Sequence, residues 1–574
     1  MARDLRREPG GDHRRPRRLR RAHPRTAREP RPRGLDRAAA GARAGPRRPP
    51  WPAQQGGQPP ADGRTRRADR RPSGNALGGH DHGRRGGGEH RGHGHRARRR
   101  GRAWCAAARG LRHRGGTPGA GRDHRARVRG RGASPVSVEP EAVPRAAVAL
   151  SPAGAVAGAV RAPASKSVTN RLLPIAALAR GTSTLLAPLE SDDSRAMRDA
   201  VCLLGAQVLA DPEPDGTPRW HVTGTSGALR GVAGPLDAGL SGTSMRFLAA
   251  LAPLADGPVT VDGEPPLRRR PVGPLTAALA QLGASVHDDD GYPPVTSAGG
   301  GLVGGDVTID VRDSSQFATA VLLAAPYARE GVTVRLAGEA AVAYIVLTVE
   351  AMRAWGAQVT DLADGWRVTA GTGYRARSVE VEYDASAAVH LFSLAAATGG
   401  TVTVTNVPSR TSQPDAAVVD LLAAMGCRTA RDGDRLSVTG PERLRPLDAD
   451  LSAHPDQITT LAALAAITSG TSHLSGVGVA RHHETDRLAA LATELGKLGV
   501  RVVEEPDGLV IEGGAAAGPA RLATHDDHRL AMAFAAIGAA VGGVVVEEPW
   551  CVTKTYPGFW RDAAALGVHW EEEP

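Results

Sequence analysis

Two kinds of apolar pattern alternate along residues 134–574. One is a run of alanine and leucine with no clear polar face: "NRLLPIAALA", "TSMRFLAALAPLA", "SSQFATAVLLAAPYA", "ASAAVHLFSLAAAT", "DQITTLAALAAIT" and "DHRLAMAFAAIGAA". Helices that are apolar all round must be buried. The other kind, such as "MRDAVCLLGAQV", repeats apolar residues at three- and four-residue spacing and predicts a half-exposed helix. Short β-prone runs opened by a glycine stand between the two, at Gly181, Gly257, Gly331, Gly400, Gly470 and Gly543. These glycines are 69 to 76 residues apart. Six units of helix, strand, helix, strand, with a further strand or two, are therefore predicted. The period is too long for a solenoid, so two α/β domains of three units each are expected.

Composition changes this picture at one end only. The formal charge is +12, but residues 1–133 hold 38 arginines against 10 acidic residues, leaving 34 basic and 50 acidic residues for 134–574. The tail has almost no Ile, Phe or Tyr and cannot bury enough apolar surface to order itself, so it reads as disordered. A nucleic-acid-binding segment would interleave aromatics, and only Trp51 and Trp104 are present. A plastid transit peptide would be serine-rich, and Ser73 is the only serine before Ser134. A start placed upstream of the true one in a GC-rich gene accounts for the tail best, with the folded protein beginning between about Ser134 and Val148. No apolar run reaches the roughly 20 residues of a membrane span. The four cysteines (Cys105, Cys202, Cys427, Cys551) form no CxxC, and the histidines have no zinc spacing. A reduced, soluble, cytosolic protein without metal or organic cofactor is expected.

Candidate chemistry sits where the buried helices open. Their first turns carry, in order, Lys166, Ser167 and Arg171; Thr243 and Arg246; Ser314, Ser315 and Gln316; Asp384 and Ser386; Asp456; and Asp527, His528 and Arg529. Ser, Thr and Asp there are ordinary helix caps. Cations are not, because a helix N-terminus is already partly positive and stabilises anions instead. Lys166 is the first lysine of the chain. The set as a whole predicts an anion-binding cleft.

Ten ordered motifs carry a resemblance: "ASKSVTNR", "SGTSMRFL", "GEPPLRRRPVGPL", "GYPPV", "DSSQFATAVLLAAP", "YDAS", "PDQITTLAALA", "HETDRLAAL", "HDDHRLAMAF" and "TKTYPGF". Their order and approximate spacing resemble those of the 5-enolpyruvylshikimate-3-phosphate (EPSP) synthase family, in its actinobacterial type. The resemblance implies a two-domain inside-out α/β barrel, the enolpyruvyl transferase fold, with three βαβαββ units per domain. One domain would be residues 166–383 and the other 148–165 plus 384–574, with the site in the cleft between them. It also implies transfer of the enolpyruvyl group of phosphoenolpyruvate to the 5-hydroxyl of shikimate 3-phosphate with release of phosphate, by a monomer needing no nucleic acid or membrane.

Carried over by motif, Lys166, Ser167, Arg171, Ser314, Ser315, Gln316, Tyr344, Asp456 and His483 would hold shikimate 3-phosphate. Lys166, Gly242, Arg270, Gln316, Arg487, His528, Arg529 and Lys554 would hold phosphoenolpyruvate. Asp456 is the candidate base, Glu484 the candidate acid, and Lys166 the ammonium beside the reacting oxygen. The bland alternatives are an N-cap for Asp456, a surface helix position paired with Arg487 for Glu484, and a structural hydrogen bond for His528. His483 stands where many members have lysine, Ala341 where a phosphate-binding serine is usual, and Val479 where asparagine is common. One lost contact to a charged phosphate costs roughly 1.5–3 kcal/mol, or about tenfold to a hundredfold in affinity. Two rivals remain at this point. One is the sister transferase acting on UDP-N-acetylglucosamine, which usually has a cysteine in the loop "DGEPPLRRRPVG"; this loop has none. The other is a weakly active homologue with an RNA-binding tail.

Overall fold

The computed structural model describes residues 143–338, 342–514 and 519–573. The arginine-rich tail 1–133 and Ala341 lie outside the described residues. Every Ala/Leu run is a helix: Lys166–Leu178, Gly242–Leu251, Gln316–Ala324, Ala385–Thr398, Ile458–Ile467 and His528–Val541. These inner helices are buried all round, and no residue from Leu530 to Ile537 is more than 1 % exposed. Several are short for independent stability, so tertiary burial holds them rather than propensity. The amphipathic run beginning at Asp192 is an outer helix, Asp192–Leu203, started by a Ser191–Ser194 capping box and buried through Met197, Ala200 and Val201.

Each unit builds one four-stranded sheet, six among the described residues. The unit starting at Pro235 shows the pattern. Strand Pro235–Asp237 leads into an inner helix and then into Val259–Asp262, which pairs with it in parallel. The outer helix Gly273–Gln281 follows, and the hairpin Val286–Asp289/Tyr292–Ser297 completes the sheet antiparallel to Val259–Asp262. This is βαβαββ, the unit that the resemblance implies.

Two sheets exchange their first strands. Ala157–Val160 precedes the first inner helix but pairs with Thr401–Val404, whereas Ser378–Glu380 precedes the fourth but pairs with Thr182–Leu186. The two crossing segments lie side by side. Ser165 N–H donates to Glu382 O and Asp384 N–H to Pro163 O, both at 2.8 Å. Val148–Ser151 closes the last sheet between Val544–Val546 and His569–Glu572. Two hydrophobic cores result, one running from Leu172 to Val381, the other from Val148 to Ala162 and from Tyr383 to Val568.

Candidate active site

The crossovers bring helix N-termini from both cores together. Asp384 caps the Ala385–Thr398 helix through Ala387 N–H (2.8 Å), while its other oxygen accepts from Lys166 N–H (3.0 Å), the first residue of the Lys166–Leu178 helix. One carboxylate thus ties the leading inner helix of each half. Buried Gln413 braces the same junction, accepting from Ser165 Oγ and Ala385 N–H and donating to Tyr383 O.

Arg487 is the centre of the cleft. It opens the helix Arg487–Lys497, is 0 % exposed, and spends its whole guanidinium on carboxylates. Nε donates to Asp527 Oδ2 (2.7 Å), Nη1 to Asp456 Oδ1 (2.7 Å) and Nη2 to Glu484 Oε2 (2.9 Å). Nη1 also donates to His483 Nδ1 (2.9 Å), which makes that nitrogen an acceptor. Arg529 Nη2 donates to Asp456 Oδ2 (3.1 Å), and Lys554 Nζ to Glu484 Oε1 (2.8 Å). The other half contributes Arg270, whose Nη1 is 3.8 Å from Glu484 Oε1, and the Leu240 carbonyl, which accepts from Lys554 Nζ (3.1 Å). Lys166 Nζ lies 3.4 Å from Asp193 Oδ2. The chain has three lysines, Lys166, Lys497 and Lys554, and two of them are here.

A cavity of about 350 Å³ opens onto this cluster, lined by Leu240, Arg270, His483, Glu484, His525 and Lys554 among others. A larger depression of about 600 Å³, beside Arg230 and Asp256, holds no comparable convergence of charge.

The carboxylates are ionised in this arrangement. Burial would raise Asp456, but Arg529 and Arg487 hold it well below the usual carboxylate range. Burial likewise opposes the charge on Glu484, and Lys554, Arg487 and Arg270 overcome it. Burial pushes His528 and His483 down, so both are neutral. The site holds its cations in reserve, neutralised by its own acids until stronger anions arrive.

The remaining predicted residues belong to elements packed on the core that runs from Leu172 to Val381. Arg171 donates to Thr348 Oγ1 (2.7 Å), Ser167 O (2.8 Å) and Tyr344 O (3.2 Å), and lies over the Tyr344 ring at 5.9 Å. Burial lowers it to about 10, still charged at neutral pH. Ser314 Oγ accepts from Gln316 N–H (3.2 Å), which is a cap; Ser315 makes no cap bond. Gln316 is oriented by Arg246, whose Nη1 donates to its side-chain oxygen (2.9 Å) and leaves the amide NH₂ free to donate.

Several bland alternatives fail on the geometry. Asp456 sits in the turn Pro455–Gln457 and caps nothing; both its oxygens face arginines. Glu484 does pair with Arg487 but precedes the helix and is largely buried. The helix beginning at Gly242 is capped by Ser241, not Thr243. His528 is 1 % exposed with neither ring nitrogen hydrogen-bonded, so it is not held structurally. Residues without an assigned role from sequence alone prove central: Asp527, Arg246 and Asp193. Arg246 and Asp527 were marked only as members of buried-helix starts, and Asp193 by no signal in the sequence.

These shifts fix the sign of one prediction. His528 and His390 have folded pKa values far below 6.5, so the unfolded chain binds their protons first and stability falls as pH drops through about 6.5. Asp456 and Glu484 have depressed values. Their contribution is complete above the ordinary 3.8 and 4.5, and is lost as pH falls through their folded values. Urea unfolding at pH 7.5, 5.5 and 4 should give a steady decline; a flat profile from 7.5 to 5.5 would contradict it.

Comparison with known proteins agrees with this geometry. The family model of EPSP synthase (3-phosphoshikimate 1-carboxyvinyltransferase) matches residues 150–563. The 3-phosphoshikimate 1-carboxyvinyltransferase of Syntrophobacter fumaroxidans is 40% identical over 421 residues, covering 72% of this chain and 97% of its own. That of Nostoc punctiforme is 37% identical over 405 residues, covering 70% and 94%. In fold, the chain resembles the solved EPSP synthase from Acinetobacter baumannii with a TM-score of 0.63 at 24% identity, over 74% of this chain and 99% of that one. Among the described residues no helix is long and apolar enough to cross a membrane, and no group of His, Cys, Asp or Glu is placed to hold a metal. By sequence match over most of its length, the chain belongs to the EPSP synthase family.

Proposed function

We propose that the cleft joins phosphoenolpyruvate to the 5-hydroxyl of shikimate 3-phosphate and releases phosphate, the 3-phosphoshikimate 1-carboxyvinyltransferase reaction of aromatic amino acid biosynthesis. The observation that carries this is the convergence of Arg487, Arg529, Lys554 and Arg270 on Asp456 and Glu484 at the junction of two cores.

Phosphoenolpyruvate takes the forked guanidinium groups and Lys554, which suit a carboxylate and a phosphate. Shikimate 3-phosphate lies toward Ser167, Arg171, Ser314, Ser315, Gln316 and Tyr344. Asp456 accepts the 5-hydroxyl proton as that oxygen attacks C2 of phosphoenolpyruvate. Glu484 delivers a proton to C3, giving a tetrahedral adduct. Reversal of the C3 proton transfer, with departure of phosphate, leaves the enol ether. Lys166 stabilises charge on the reacting oxygens. Glu484 is ionised while Lys554, Arg487 and Arg270 face it; once a phosphate neutralises those cations its affinity for a proton rises, which arms it as the acid. On this reading the enzyme works as a cytoplasmic monomer without cofactor, and His483 in "HHETDRL" supports assigning it to the actinobacterial type.

Phosphate release separates this from the sister activity. It should require shikimate 3-phosphate and should not occur with UDP-N-acetylglucosamine; the reverse preference would overturn the proposal.

Gly242 bears on specificity. A Cβ there would meet Arg270 Cζ and Nη1 at 2.7 Å, and Arg270 is largely buried, so its guanidinium must shift. Gly242→Ala should raise KM for phosphoenolpyruvate about tenfold, the effect of one displaced charge-assisted contact. The wild type should be inhibited by glyphosate, which fills the same pocket, and the variant should resist it. An inhibition constant unchanged by the substitution would contradict this.

A further inference from the structure

The turn before the last inner helix has an unusual backbone. His525 and Asp526 are consecutive non-glycine residues with φ of +52° and +58°, a left-handed conformation that side chains disfavour. Immediately after it come Asp527, which holds Arg487, and Arg529, which holds Asp456. Something must hold the turn against relaxation.

Glu494 is placed to do so. It lies two turns after Arg487 on the Arg487–Lys497 helix and is 1 % exposed. Its Oε1 accepts from His525 Nε2 (3.0 Å), and its Oε2 from Ala523 N–H (2.9 Å) and Lys497 Nζ (2.6 Å). From the turn's other side, Thr524 Oγ1 donates to Glu548 Oε2 (3.0 Å). Glu548 is itself left-handed, at φ +49°, and opens the turn Pro549–Lys554 that delivers Lys554. The carriers of Arg487 and Arg529 are thus fastened to one buried carboxylate, and Thr524 ties the carrier of Lys554 to the same turn.

We propose that Glu494, acting through His525, is a positioning residue: it clamps the strained 525–526 turn and so aligns Arg529 and Asp527 with Arg487 for phosphoenolpyruvate. The inference rests on the function proposed above. It differs from a packing role in one respect. Glycine occupies the left-handed region without strain, so glycine at position 525 should remove the need for the clamp, whereas alanine should not.

The test measures phosphoenolpyruvate affinity of the full chain with shikimate 3-phosphate saturating, as KM and by direct titration calorimetry. The variants are His525→Ala, His525→Gly, Glu494→Ala and Glu494→Ala combined with His525→Gly. His525→Ala should weaken affinity about fivefold to tenfold, and His525→Gly at least about threefold less than His525→Ala, the contrast isolating the backbone because both variants remove the imidazole. Glu494→Ala should weaken it about tenfold, with at least a threefold recovery on adding His525→Gly, while KM for shikimate 3-phosphate stays within about twofold. The His525 side chain is 36% exposed, so its variants decide the matter even if Glu494→Ala does not fold. Equal effects of alanine and glycine at 525, or equal losses in both KM values, would overturn the clamp. A wild type that binds phosphoenolpyruvate with the alanine–glycine contrast but releases no phosphate would sink the assigned activity and leave the clamp standing.

Discussion

Arg487→Met should lose both turnover and about 3–5 kcal/mol of stability, the cost of stranding buried charge. Among the described residues the guanidinium is the only group touching Asp456, Glu484 and Asp527 together, and it is fully buried. Its own protonation is reinforced, because those three carboxylates outweigh the burial that opposes it. Methionine fills a similar volume but leaves Asp527, itself buried, with no cation in hydrogen-bonding contact. The measurement is urea unfolding at pH 7.5, with an unchanged denaturant slope so that the shift reports stability. A loss under about 1 kcal/mol would mean that the network behaves like a surface ion pair.

Lys166→Ala should act on rate instead. The helix start survives, because Asp384 accepts from the Lys166 backbone N–H and Ser165 caps Val168 N–H. What disappears is the ammonium that lies 3.4 Å from Asp193 Oδ2 and that the proposed mechanism sets beside the reacting oxygens. We expect kcat to fall about 10²- to 10³-fold, the range for removing one preorganised donor, with a smaller stability loss than Arg487→Met because a single buried carboxylate, Asp193, loses its cation. Lys166→Arg should not restore the rate, since a planar fork cannot replace a compact ammonium. A kcat within tenfold of wild type would remove Lys166 from the chemistry.

The sequence exposes those parts of the molecule that follow from local pattern. Ala/Leu runs without a polar face could only be core helices, and cations at helix starts could only be stable opposite anions. Long-range pairing is not local. Nothing near Ala157–Val160 announces a partner at Thr401–Val404, and the exchange of first strands emerges only once both crossovers lie side by side. The difference between a cap and a ligand is equally invisible. Asp456 and Asp384 both stand at inner-helix starts, yet Asp384 caps and Asp456 faces two arginines. Glu494 reads as an ordinary acid on an amphipathic helix; only the left-handed turn packed against it gives it a task. Arg246 carried a cation signal, but the oxygen it orients belongs to Gln316, 70 positions away.

The most direct measurement is a proton and phosphorus NMR record of full-length chain mixed with phosphoenolpyruvate and shikimate 3-phosphate. The account predicts vinyl-ether protons of a new enolpyruvyl product appearing with an equal amount of inorganic phosphate, and neither signal with Lys166→Ala. Phosphate accompanied by pyruvate, or unchanged substrates in the wild type, would contradict it.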